Sequence, residues 1–211
     1  MIEIRRHHEV LEIVMHNPPV NALGVGLRKA ILDGLRDALA DDRVAAIMIR
    51  GGGKLFPGGA DITEFGKPHA APCLGELINA IEASQKPVVA AIHGMALGGG
   101  LEVALGCHYS VATKSAKLGL PEVTLGLLPG AGGTQRLPRL VGLPQALEMI
   151  VSGAPVSGAK AAEIGLVDRL ADDDAALSDA AIAFARAAQA PRRTCDMPVA
   201  ADPSLFDRFA A

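Results

Sequence analysis

KPVVAAIHGMALGGGLEVALGCHY, residues 86–109, decides the fold. Pro87 to Ile92 is a short apolar run with β-branched residues, as expected of a strand buried on both faces. Glycines then interrupt the chain, and Gly99 to Gly106 reads as an apolar helix that leads into a second strand, Tyr109 to Thr113. A strand that returns through a helix to another strand is the connection a parallel, helix-covered sheet requires. The same stretch is a poor membrane span, because His93, Glu102 and several glycines fall inside it.

Outward from this unit the pattern repeats. Ile2 to Arg6 and Val10 to Met15 read as strands around a polar turn at His7-His8, and Asn17-Pro18-Pro19 ends the second. Leu27, Ile31, Leu35 and Leu39 place one apolar face on a helix from Gly26 to Ala40, followed by a buried strand from Val44 to Arg50. Gly58 to Phe65 is expected to be a loop turning into a short helix, and Leu74 to Ser84 an amphipathic helix. After Pro121 the chain reads as mainly helical, with segments at 132–141, 144–152, 157–164 and 174–189, the last capped by the Asp172-Asp173-Asp174 run. The expected organisation is one α/β domain over residues 1–190, with a Pro-, Asp- and Arg-rich tail over 191–211.

Composition narrows the chemistry. The 211 residues carry a net charge of −3, with 3% aromatics and no Trp, so a nucleic-acid partner is not expected. Cys73, Cys107 and Cys195 are odd in number and widely spaced, which fits a reducing cytoplasm and neither a disulfide framework nor a zinc site. No HExxH or similar spacing occurs among the histidines, and His69 falls in a loop, so no metal is expected. The N-terminus lacks the apolar segment of a signal peptide, and the closing Phe209-Ala210-Ala211 is not a peroxisomal tripeptide.

The glycine runs do not make a nucleotide loop. GxGxxG patterns started at Gly51, Gly98 or Gly130 put Phe56, Val103 or Gln135 where the third glycine belongs, and neither Gly53-Lys54 nor Gly66-Lys67 continues as a Walker loop. Gly98-Gly99-Gly100 instead stands between a buried strand and a helix, where unpaired N–H groups and the helix dipole point outward together. Such a terminus can stabilise charge developing on a substrate oxygen; the plainer alternative is that these glycines only permit tight turns. Two carboxylates lie nearby in apolar sequence, Glu102 in LEVALG and Glu122 in LPEVTLG. A buried pair would suit acid and base work, since burial raises a carboxyl pKa toward neutrality. The alternative for each is to cap backbone groups or to meet an arginine such as Arg136 or Arg139.

GGADI (58–62), the opening 86–109 stretch and GLPEVTLGLLPGAGGTQRLPRLVG (119–142), with NPPVNAL (17–23), together resemble the crotonase, or enoyl-CoA hydratase/isomerase, superfamily. GLEVALGCHY and LPEVTLGLLPG look most like the hydratase/isomerase unit of multifunctional fatty-acid β-oxidation enzymes, where it is fused to a 3-hydroxyacyl-CoA dehydrogenase. The resemblance implies a crotonase-like spiral of ββα units with a helical C-terminal portion. It further implies an oxyanion hole from the N–H groups of Ala60 and Gly99, catalytic carboxyls at Glu102 and Glu122, a water-holding N–H at Gly130, and coenzyme A contacts at Gly58, Asp61 and Ile62. Hydration of a 2-enoyl-CoA is the implied reaction, with the acyl-CoA thioester as substrate and no further cofactor. Δ3-Δ2-enoyl-CoA isomerisation and a silent acyl-CoA-binding module are the alternatives. A homotrimer, or association with a dehydrogenase, is the implied assembly.

Overall fold

Antiparallel pairing of β1 (Ile2–His7) with β2 (Val10–Met15) begins a sheet that then grows only by parallel additions. The computed structural model describes residues 1–64, 66–68, 70–200 and 204–205; Phe65, His69 and positions 201–203 and 206–211 of the expected tail lie outside the described residues. Helix α1 (Val25–Ala40) returns the chain to β3 (Ala46–Gly51), and α2 (Leu74–Glu82) returns it to β4 (Val88–Ile92). After β4 come β5 (Met95–Leu97), α3 (Gly99–Gly106), β6 (Tyr109–Thr113) and β7 (Lys117–Gly119). Helices α4 (Gly133–Val141) and α5 (Leu143–Ser152), strand β8 (Val156–Ser157), helix α6 (Gly158–Glu163), strand β9 (Arg169–Ala171) and helix α7 (Asp174–Ala187) follow, with short 3-10 turns at Ile62–Glu64, Pro121–Leu125 and Thr194–Asp196. The large sheet runs β1-β2-β3-β4-β6-β9 and the small one β5-β7-β8.

Alternate residues of the central strands supply two cores, as the two-residue period of a strand dictates. Ile47, Ile49, Val88, Ala90 and Ile92 face α1, α2 and α3, whereas Met48, Val89, Ala91 and Val111 face Leu177, Ala181 and Ala185 of α7. A sheet covered on both sides explains why β2 and β4 are buried along their whole length.

The strands β8 and β9 correct the mainly helical expectation for the chain after Pro121. They have two and three residues, too few to display a period, and β9 joins the sheet at its edge beside β6. Strands β5 and β7 were equally hidden, because the glycines around them mask their parallel pairing. Asp173 caps α7 as the acidic run predicts, accepting from the Ala176 N–H at 2.9 Å.

Between Ala190 and Thr194 the chain lies against Tyr109, Asp168 and Leu105. The Tyr109 hydroxyl donates to Ala190 O, Arg192 stacks 4.7 Å from the Tyr109 ring centre and pairs with Asp168, and Thr194 is buried with its hydroxyl on Leu105 O.

Candidate active site

The glycine turn at the start of α3 sets the site. Gly98 adopts φ 51°, ψ −126°, a conformation that side-chain-bearing residues rarely take, and its N–H donates to Gly119 O at 2.9 Å, tying the turn to the small sheet. A Cβ on Gly99 would lie 3.1 Å from the Ala60 nitrogen, so the two residues' backbones lie close together. Ala60 is held there from the other side: Leu23 bridges it in parallel, the Leu23 N–H donates to Gly59 O, and the Gly58 N–H donates to Val20 O. Among the described residues, neither the Ala60 nor the Gly99 N–H donates to a protein acceptor.

Asn21 underpins this arrangement and escaped the sequence reading. It is buried at φ 51°, and its amide nitrogen donates to both Gly52 O and Leu55 O at 2.9 Å, anchoring the segment that leads to Ala60. Its signal was the NPPVNAL run, where an Asn can take the left-handed region and bond the backbone locally.

Glu102 lies on the first turn of α3 and is 2% exposed. Its Oε1 accepts from the Ala131 N–H at 2.7 Å and the Gly133 N–H at 2.8 Å. Glu102 therefore does cap backbone groups, one of the alternatives the sequence left open, while Arg136 pairs with Glu82 instead. Burial pushes the Glu102 carboxyl up from its usual range, against the pull of the two amides and of the Arg136 charge.

Glu122 sits in a 3-10 turn, Pro121–Leu125, with Pro121 at its start. Its Oε1 reaches within 3.1 Å of where a Gly98 Cβ would be, which places the carboxyl against the glycine turn. Its Oε2 is buried without a hydrogen-bond partner among the described residues. Burial raises this carboxyl too, helped by the negative charge of Glu102. The two carboxyls are thus close enough to feel each other and unequally supplied with donors.

The remaining expected residues lie around this centre. Gly130 is exposed on the loop before α4, next to Ala131, whose N–H holds Glu102. Gly58 and Asp61 flank Ala60 in sequence; Asp61 Oδ1 accepts from the Thr63 N–H and hydroxyl, which hold its carboxyl below the usual range. Ile62 is 69% exposed, free to meet a ligand rather than the core. Among the described residues no group of three or more His, Cys, Asp and Glu side chains could hold a metal ion, and no helix is long and apolar enough to cross a membrane.

The sequence profile of the family described as Enoyl-CoA hydratase/isomerase matches residues 5–201. The chain belongs to the enoyl-CoA hydratase/isomerase family. Among curated members, it is 45% identical to the peroxisomal bifunctional enzyme of Homo sapiens, over all of this chain and 30% of that protein. It is 46% identical to the probable enoyl-CoA hydratase of Bacillus subtilis (strain 168), over 83% of this chain and 71% of that one. The crystal structure of enoyl-CoA hydratase from Bacillus anthracis superposes with a TM-score of 0.82 at 34% identity, covering 88% of this chain and 75% of the other. The fold is thus the crotonase-like spiral: β4-β5-α3 forms one ββα turn, and β6-β7 with the following 3-10 turn begins the next. This enoyl-CoA hydratase/isomerase family member spans about a quarter to a third of the length of the peroxisomal bifunctional enzymes it matches, 23% in Danio rerio and 30% in Homo sapiens.

Proposed function

We propose that the protein adds water across the double bond of a 2-trans-enoyl-CoA to give a 3-hydroxyacyl-CoA, as a step of fatty-acid β-oxidation. The observation that carries this reading is that, among the described residues, the neighbouring Ala60 and Gly99 N–H groups meet no protein acceptor, together with two interacting carboxyls of unequal hydrogen bonding. The thioester oxygen accepts from both N–H groups, which draws electrons from the β-carbon and stabilises the enolate-like transition state; one such donor is worth roughly 3 kcal/mol.

The two environments support a division of labour. Glu102, with two amide donors and Arg136 nearby, is the carboxyl better able to stay ionised, and it takes a proton from water as the hydroxyl bonds to the β-carbon. Glu122, with an unpartnered oxygen and the charge of Glu102 against it, holds a proton and delivers it to the α-carbon. Proton exchange between the two carboxyls through solvent then restores the starting state. Gly130 helps hold the water, and Gly58, Asp61 and Ile62 meet the coenzyme A portion. The thioester itself acidifies the α-carbon, so no metal or redox cofactor enters the reaction.

Isomerisation of a Δ3-enoyl-CoA is the second reading, because it needs proton shuttling by one carboxyl alone and the unpartnered Glu122 oxygen would serve. Assembly as a homotrimer, or association with a 3-hydroxyacyl-CoA dehydrogenase, belongs to the proposal. Leu125 and Leu128, 66% and 74% exposed close to Glu122, offer apolar surface for such a contact, and sedimentation of the purified chain tests it. A cytoplasmic setting is kept on the strength of three free cysteines. The deciding experiment is incubation with a short 2-enoyl-CoA while the conjugated thioester absorbance is followed. Measurable coenzyme A binding with unchanged absorbance would replace the hydratase by a silent binding module.

A further inference from the structure

The segment that presents amides to Glu102 runs from the irregular residues 130–132 into the first residue of α4, Gly133, and the irregular part opens on a cavity of about 390 Å³ lined in part by Gly75, Asn79, Gln135 and Arg139. Packing alone therefore does not fix the loop from that side. What reaches it is Arg136, whose Nη1 donates to Ala131 O at 3.2 Å and against which Gly132 lies so closely that a Cβ there would fall 2.2 Å from Nη1. The guanidinium is held in turn: Nε and Nη2 donate to Glu82 Oε2 at 3.2 and 2.7 Å, and Nη2 donates to Asn79 Oδ1 at 2.9 Å. Glu82 is locked through its other oxygen, which accepts from the Cys195 N–H at 2.9 Å.

We propose that the buried Glu82–Arg136 pair is a positioning device for the proposed hydratase site, fixing the Ala131–Gly133 amides that orient Glu102 and fastening them to the segment around Cys195. The inference rests on the reading of Glu102 given above. Both partners are nearly fully buried, 5% exposed for Glu82 and 8% for Arg136. A buried ion pair is weak evidence for stability, since an apolar pair of similar volume often serves as well, and its better-attested use is to specify one geometry. Here a planar five-donor fork is required: it must satisfy Glu82, Asn79 and Ala131 O at once, which a lysine ammonium cannot do from the same position.

The test compares wild type, Arg136→Lys and the apolar double variant Glu82→Leu/Arg136→Met, which leaves no unpaired buried charge. Hydrogen exchange at the Ala131 and Gly133 amides is read beside kcat and KM for hydration of crotonyl-CoA. Expected are exchange at least about ten-fold faster at these two amides in the double variant, and kcat lower by about 10²-fold at little-changed KM, as a displacement of about 1 Å would produce. Arg136→Lys should fall between. A folded double variant with wild-type exchange, or with faster exchange and unaltered kcat, overturns the positioning role. Wild-type protein that fails to hydrate, yet whose two amides still depend on Arg136, sinks the hydratase reading while supporting the positioning of the loop.

Discussion

Glu122 lies close enough to Glu102 to feel its charge, yet the two differ in hydrogen bonding: one oxygen of Glu102 takes two backbone N–H groups, and one oxygen of Glu122 has no partner among the described residues. In the proposed hydration that inequality gives Glu102 the part of base and Glu122 that of proton donor.

Glu102→Gln and Glu122→Gln keep the volume of each side chain and remove its titration. Each is expected to lower kcat for hydration by about 10²- to 10⁴-fold with little change in melting temperature. Glu102→Gln should harm hydration more than isomerisation, and equal loss of both activities in paired assays would contradict the division of roles.

Gly98→Ala places a methyl group in a left-handed backbone and 3.1 Å from Glu122 Oε1. The expected outcome is loss of most hydration with a stability cost of about 1 kcal/mol. Wild-type kcat in a folded Gly98→Ala protein would show that the turn and Glu122 are not set against each other.

Two features of the fold were plain in the sequence. The run Pro87 to Ile92 is apolar throughout up to the glycines that follow it from Gly94, and Glu102 sets a charge inside the apolar LEVALG, which such a context does not tolerate unless it is structured. Arg136 stood out only as a possible partner for Glu102 or Glu122, and Glu82 carried no signal; the contact that buries them together, Arg136 of α4 on Glu82 of α2, is a tertiary one. GAGGTQR does not continue as a phosphate loop, yet its amides do hold an oxygen of a carboxyl that the chain itself supplies. Strand β9 was invisible because three edge residues carry no periodicity.

Asn21→Ala removes both donors to Gly52 O and Leu55 O and puts an alanine at positive φ. Stability should fall by about 2 kcal/mol, read as a lower denaturant midpoint at unchanged slope. Because the anchored segment leads to Ala60, hydration should fall as well.

His108 is buried and neutral, with Nδ1 accepting from the Val88 N–H and Nε2 on Glu82 O. Burial lowers its pKa, so between the folded value and the unfolded value near 6.5 the unfolded chain binds the extra proton. The stability this contributes is whole above about pH 6.5 and is lost as pH falls through the folded pKa. Melting temperature should therefore drop below about pH 6.5 by a margin that His108→Gln reduces; an unchanged acid slope in that variant would assign the drop to other groups.

The thiols should separate by location. Cys107 is buried and its pKa is pushed far up by burial, whereas Cys195 is exposed. A thiol reagent applied to native protein should label Cys195 quickly and Cys107 only after denaturation, and early labelling of Cys107 would place it at the surface.

In the large sheet the strands follow one another across its width in the order they are synthesised, from β1 to β9, apart from β5, β7 and β8, which form the small sheet. The ribosome can therefore lay down this sheet edge by edge, with each new strand docking on one already in place. The helix that packs on β2, β3, β4, β6 and β9 follows all of these strands in the chain. Until Asp174–Ala187 has left the exit tunnel, Val10, Met48, Val89 and Val111 look onto water, so a stalled nascent chain presents a sticky plane to chaperones and to its neighbours on the polysome.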